Sequence, residues 1–293
     1  MTKLVVIVGA PRSGTNMLRD VLTSLPGFVT WECDEINPLW KHGNLDVPHD
    51  ELTRAHARPD VRRYLRRAFD AALRRRHGEV LVEKTCATSL RVGFVDEFFP
   101  QARFVVIRRD GIDATASAMK RWHAPFDLAY TARKVRFVPP VDLPRIAWSA
   151  VAARLGGHRR GAGQGGADDS VDAAVRTWWG PRPHDVAELR TTLPLAEAAF
   201  VQWQRCVEST RRDLADIDPD RWFEVVYEEF VADPAAGLTA ILGFLDRSQR
   251  FDPAVTAGVR DTSVGKGRAA LGPAVVSRLE ERGGDTLRGL GYA

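Results

Sequence analysis

The sequence predicts a three-layer α/β/α protein, with helices on both faces of a central, mainly parallel sheet. Two observations carry this prediction. Three short apolar runs rich in β-branched residues, starting at Leu4, Glu79 and Arg103, are bounded by turn residues, as strands buried on both faces are. Stretches of helical period lie between them, and a strand–helix–strand order requires crossover connections, hence parallel neighbours.

The first run, Leu4 to Val8, passes through a glycine turn into a helix that the pattern begins near Ser13. Asp60 to Arg76 spaces Val61, Leu65, Phe69 and Ala72 at helical period and carries many arginines, read as a solvated face or as a track for an acidic glycan. The second strand is Glu79 to Lys84, followed by a helix from Ser89 to Phe99 that Pro100 closes. The third strand, Arg103 to Asp110, leads into a helix from Asp110 to Trp122. Beyond it lie a proline-bearing stretch to Pro144, a glycine-rich run from Gly156 to Gly166, and the turn Trp178 to Pro183. A long helix from Leu195 to Ile217 stacks Phe200, Trp203, Val207 and Leu214. A strand opening Arg221 to Phe230 and helices at Pro234 to Leu245 and Pro273 to Leu290 complete the chain. No internal repeat or domain boundary is visible. The expectation is one domain over residues 1–293, with an insertion around 123–195 covering a site.

Bulk properties narrow the function. The chain has 293 residues and a net charge of +4, which suits anionic ligands but is too mild to imply nucleic acid. Cys33, Cys86 and Cys206 are far apart with no C-x-x-C pair, which argues against structural zinc and a disulfide framework. No apolar run reaches membrane-spanning length. A cytoplasmic protein without a membrane span is expected.

The glycine turn GAPRSGTN, Gly9 to Asn16, has the form of a phosphate cradle: backbone N–H groups point inward and the helix adds its positive end. Gly9 and Gly14 match Walker spacing, but Thr15 and Asn16 stand where Lys and Ser/Thr should follow. The cation is Arg12, a planar fork suited to phosphate or sulfonate oxygens. The loop therefore reads as an anion site not built around magnesium, and Pro11, Arg12, Ser13, Gly14, Thr15 and Asn16 are its candidate residues. A second signal follows the third strand. Arg109 ends it, and Asp113 and Ser117 share a helix face four residues apart. Ligands bind at the carboxyl ends of parallel strands, so Arg109 and Ser117 are candidates for a second anion subsite; the plainer reading pairs Arg109 with Asp113.

With these motifs the chain resembles the sulfotransferases that use 3′-phosphoadenosine 5′-phosphosulfate (PAPS), a family with a P-loop-like fold. The Pro11–Asn16 loop resembles the family's 5′-phosphosulfate loop, and Arg109 with Ser117 its 3′-phosphate pair. Glu83-Lys84-Thr85 is similar to its strand-end motif, Val225–Phe230 to its late strand and turn, and Ser263–Arg268 to the C-terminal basic segment that closes over the nucleotide. Cys86 stands where the animal enzymes carry a catalytic His, so that mechanism is not carried over. The resemblance implies in-line sulfuryl transfer to an acceptor hydroxyl or amine, with no metal required; the glutamate-type base and the tryptophan-bearing loops point to a carbohydrate or other small metabolite as acceptor. It implies Arg12 and Lys84 as charge stabilisers, Lys266, Gly267 and Arg268 as nucleotide contacts, and a glutamate base downstream of the loop. Glu35 is the first candidate and Glu32 the second, with Trp31, Ile36 and Trp40 expected to bury the carboxyl and raise its pKa. Glu83 is an alternative partner for Lys84. His42, His49 and His123 fall in plausible site loops but read better as surface or core residues. Trp122, Trp178 and Trp179 read as ring-stacking platforms or core anchors. The competing functions are a small-molecule kinase and a non-catalytic binder of nucleotides or acidic glycans.

Overall fold

Alternating side chains on short apolar strands set which helices cover which face of the sheet. The computed structural model describes residues 3–122, 136–144, 148, 178–247 and 249–292. His123 and the run Gly156 to Gly166 lie outside the described residues.

Five strands form one wholly parallel sheet: β1 (Lys3–Val8), β2 (Phe28–Thr30), β3 (Val80–Lys84), β4 (Arg103–Arg108) and β5 (Trp222–Val226), in the order β2-β3-β1-β4-β5. The central strand β1 is buried at five of its six residues. Its even positions Leu4, Val6 and Val8 pack with Leu81, Phe104 and Val106 against helices α3 (Pro59–Arg75) and α4 (Val92–Phe98). Its odd positions Val5 and Ile7 join Val82, Val105 and Val225 beneath α1 (Thr15–Thr23) and α9 (Pro234–Phe244). These two cores make the three layers. A third apolar cluster joins α5 (Gly111–Trp122), α7 (Leu195–Leu214) and α11 (Pro273–Gly289) through Ile112, Phe200, Trp203, Cys206 and Leu279.

The remaining helices among the described residues are α2 (Asn37–Trp40), α6 (Val186–Thr192), α8 (Tyr227–Ala232) and α10 (Gly267–Leu271). Two expectations are corrected. The helix from Ser89 to Phe99 is instead a 3₁₀ turn, Cys86–Leu90, and then α4, because Arg91 breaks helical geometry at φ −157, ψ 38. The helix over 273–290 contains a non-helical residue, Gly283, where Phe200 crowds the backbone. Trp122 and Trp178 are buried and meet edge to face at 5.2 Å, so both serve as core anchors. No helix among the described residues is long and apolar enough to cross a membrane.

Candidate active site

The Gly9–Gly14 loop leaves the carboxyl end of the central strand, where backbone crowding dictates its glycines. A Cβ on Gly9 would stand 2.7 Å from the Ile107 carbonyl oxygen. Gly14 has φ 88, and its Cβ would fall 2.6 Å from the Tyr227 ring. Arg12 also adopts a left-handed φ of 68, unusual for a residue with a side chain. Two contacts hold it: Arg12 Nε donates to Ser117 Oγ at 3.0 Å, and its carbonyl accepts from Arg109 at 2.9 Å. Arg12, Arg109 and Ser117, far apart in sequence, thus form one cluster.

Arg109 is buried. Besides the Arg12 carbonyl it donates to the Ser263 carbonyl at 2.8 Å and lies over the Tyr227 ring at 4.3 Å. It approaches Asp113 only to 3.8 Å. The start of α5 is fixed from below, since Trp203 Nε1 donates to the Arg109 carbonyl at 3.2 Å and Gly111 leaves room for the Trp203 ring. Asp110 caps the helix, accepting from Ile112 N at 2.6 Å. Asp113 spends its carboxylate on the backbone amides of Gly265 (2.7 Å) and Gly267 (2.6 Å), rather than chiefly on Arg109. Of the C-terminal candidates, Gly267 is buried in this contact, Lys266 is exposed, and Arg268 pairs with Glu280.

The end of β3 brings a second group beside the loop. Lys84, with 2% of its side chain exposed, lies 3.4 Å from Glu35 Oε1, which also accepts from Cys86 N at 3.3 Å. Burial disfavours the Lys84 charge, but the nearby Cys86 and Glu35 side chains outweigh it and hold the lysine pKa above its ordinary value. Cys86 Sγ lies 3.7 Å from Thr15 Oγ1. Burial, with Glu35 adding to it, pushes this thiol up to about 12.

Trp31 packs on Phe69 and Phe137, and Trp40 donates to Glu83 at 3.2 Å. Glu83 points to the opposite side of β3 from Lys84, as adjacent strand residues must, and burial raises its pKa. Glu32 is elsewhere, 73% exposed and 3.6 Å from Arg76. His42 pairs with Asp142 at 2.8 Å. Among the loop residues, Pro11 and Thr15 are buried and Asn16 is exposed. Ser13 Oγ and Arg109 Nε are buried and lack a hydrogen-bond partner among the described residues.

Tyr227 and Ser263 are structural members of this site that sequence reasoning did not single out. Tyr227 OH lies 2.9 Å from Ser263 Oγ, closing the wall around Arg109. Both sit inside quoted motifs, but their pairing across 36 residues leaves no local signal.

Comparisons with known proteins agree with this architecture. The family model described as "Sulfotransferase family" matches residues 5–164 and 170–252. The sulfotransferase domain from the curacin biosynthetic pathway superposes with a TM-score of 0.51 at 12% identity, covering 97% of this chain and 90% of that one. Sulfotransferase STF9 from Mycobacterium avium gives 0.51 at 14% identity, covering 98% and 76%. Sulfotransferase STF1 from Mycobacterium tuberculosis H37Rv gives 0.52 at 12%, covering 96% and 76%. At such identities these structures speak to the fold alone. No curated protein matches the sequence. The family model extends over most of the chain, from β1 past α9, and on that ground the chain belongs to the sulfotransferase family.

Proposed function

We propose that the chain is a cytoplasmic enzyme that moves a sulfuryl group from PAPS to an acceptor hydroxyl, on a carbohydrate or another small metabolite. The observation that carries this is the bonded cluster of Arg12, Ser117 and Arg109, which joins the glycine loop to the start of α5 as one cationic wall. A doubly phosphorylated adenosine needs two anion subsites on one wall. The residues fit that ligand: Ser13 Oγ and Arg109 Nε are buried donors in want of an acceptor, and the first turn of α1 offers unbonded amides. The free cysteines suit a reducing compartment.

Bound PAPS supplies an activated sulfuryl group and a bisphosphate leaving group. Ser13, Gly14, Thr15 and Asn16 hold the 5′ end by backbone and side-chain donors. Arg109 and Ser117 hold the 3′-phosphate, with Lys266, Gly267 and Arg268 along the adjoining segment. Glu35 takes the proton from the acceptor hydroxyl as that oxygen attacks sulfur in line. Lys84 and Arg12 stabilise the negative charge that grows on the departing oxygen. The 3.4 Å separation of Lys84 and Glu35 sets the base beside the cation, and the carboxylate helps hold the lysine charged.

Calorimetry with adenosine 3′,5′-bisphosphate and with ATP–Mg²⁺ tests the donor. The expected result is metal-independent binding of the bisphosphate, much tighter than that of ATP–Mg²⁺. A preference for ATP–Mg²⁺ would favour a small-molecule kinase instead.

A further inference from the structure

One carboxylate at the rim of the donor wall does no work in the chemistry just described. Asp113, 4% exposed at its side chain, sits in the first turn of α5 and accepts two amides from a segment more than 150 residues away, Gly265 N at 2.7 Å and Gly267 N at 2.6 Å. The fit is close: a Cβ on Gly267 would stand 2.7 Å from the Asp113 backbone N and Cα. Gly265 takes a left-handed φ of 70 to present its amide. The same segment meets Arg109 twice, since Ser263 O accepts from its guanidinium and Ser263 Oγ bonds Tyr227, whose ring lies under it. Lys266 falls between the two amides, so its backbone position is set by this single carboxylate.

We propose that Asp113 is a positioning residue that holds the Ser263–Gly267 segment closed on Arg109, so that the wall facing the 3′ end of the nucleotide exists before ligand arrives. Only the identity of that ligand rests on the donor reading above. Hydrogen bonds from amides to a buried carboxylate are charge-assisted and among the stronger ones. Replacing the carboxylate with an amide removes the charge and leaves one of the two backbone amides without an acceptor. Asp113 then acts on the 3′-phosphate through Arg109 and the segment, and has no route to the 5′ end except through Arg12.

The test uses Asp113→Asn and Gly267→Ala, whose added methyl group would press on the Asp113 backbone and part the segment from α5 while leaving the carboxylate in place. Two readouts are needed: affinity for adenosine 3′,5′-bisphosphate and for adenosine 5′-phosphosulfate, which lacks the 3′-phosphate, and hydrogen exchange of the amides at 265 and 267. We expect each variant to bind the bisphosphate about tenfold more weakly while affinity for the phosphosulfate changes less than about twofold. We also expect both amides to exchange at least about tenfold faster in Asp113→Asn. Equal weakening of both nucleotides, or unchanged affinity with protected amides, would overturn the proposal. Should the unmodified protein bind neither nucleotide, the donor reading fails, and exchange alone decides the clamp: protection retained in Asp113→Asn rejects it.

Discussion

At the scale of single residues, environment decides what each group can do. Glu35 and Glu32 are three residues apart and indistinguishable by type, yet one faces Lys84 and the other solvent. Replacing Glu35 with Gln is expected to lower kcat by about 10²- to 10⁴-fold, the usual worth of a general base, while bisphosphate affinity stays unchanged; Glu32→Gln should leave both alone. Equal activity of Glu35→Gln and the unmodified enzyme would remove Glu35 from the chemistry, and lost turnover with intact binding would dispose of a purely binding role. Cys86 gives a second check. Its thiol, held up to about 12, keeps its proton where an ordinary cysteine near 8.5 has lost half of it. Iodoacetamide at pH 8.5 should therefore alkylate Cys86 only after unfolding, as mass spectrometry of the peptide would show. The sign for stability follows. The folded state retains a proton that the unfolded state releases, so this group's contribution declines as pH rises from about 8.5 toward 12.

At the scale of elements, the legible parts were those whose signal is local. The strands β1, β3 and β4 and the helices α3, α5 and α7 show their period directly in sequence. The edge strand β2 has three residues and no period to read, and exists because Phe28, Val29 and Thr30 pair with Val80, Leu81 and Val82. The break at Arg91 was hidden because its cause is tertiary: the buried guanidinium bonds Asn37 and lies 3.7 Å from Asp50, pulling that residue out of helical geometry. The glycine loop itself was readable, but the strictness of Gly14 comes from its neighbour. Gly14→Ala combines a left-handed φ with a clash against Tyr227, the ring under Arg109. The φ alone costs about 1–2 kcal/mol. Urea denaturation should show at least that loss, accompanied by weaker bisphosphate binding because Tyr227 must shift. Full retention of affinity would mean that the ring does not matter to Arg109.

At the scale of the whole molecule, the sheet order explains why residues between positions 12 and 267 converge. With β1 between β3 and β4, the chain leaves the centre of the sheet in opposite directions, and the crevice at the carboxyl ends lies between those exits. The sequence showed the motifs at each strand end. Their mutual bonding was not legible, because Arg12–Ser117, Arg109–Ser263 and Asp113–Gly265 are contacts of sequence separation 105, 154 and 152. Such contacts tie the beginning, middle and end of the chain into one site, so a ligand bridging them stabilises the fold as a unit. At a hundred times its Kd, a ligand specific to the native state adds about 2.7 kcal/mol, which for a chain of this size raises Tm by roughly 5 °C. Adenosine 3′,5′-bisphosphate should produce such a shift in a single cooperative transition, without magnesium. Adenosine 5′-phosphosulfate at the same concentration should produce a smaller one, because it leaves the Arg109 side of the wall unengaged. A shift as large with the phosphosulfate as with the bisphosphate would show that the two sides of the crevice are not joined through the nucleotide, and would remove Arg109 and Ser117 from the donor site.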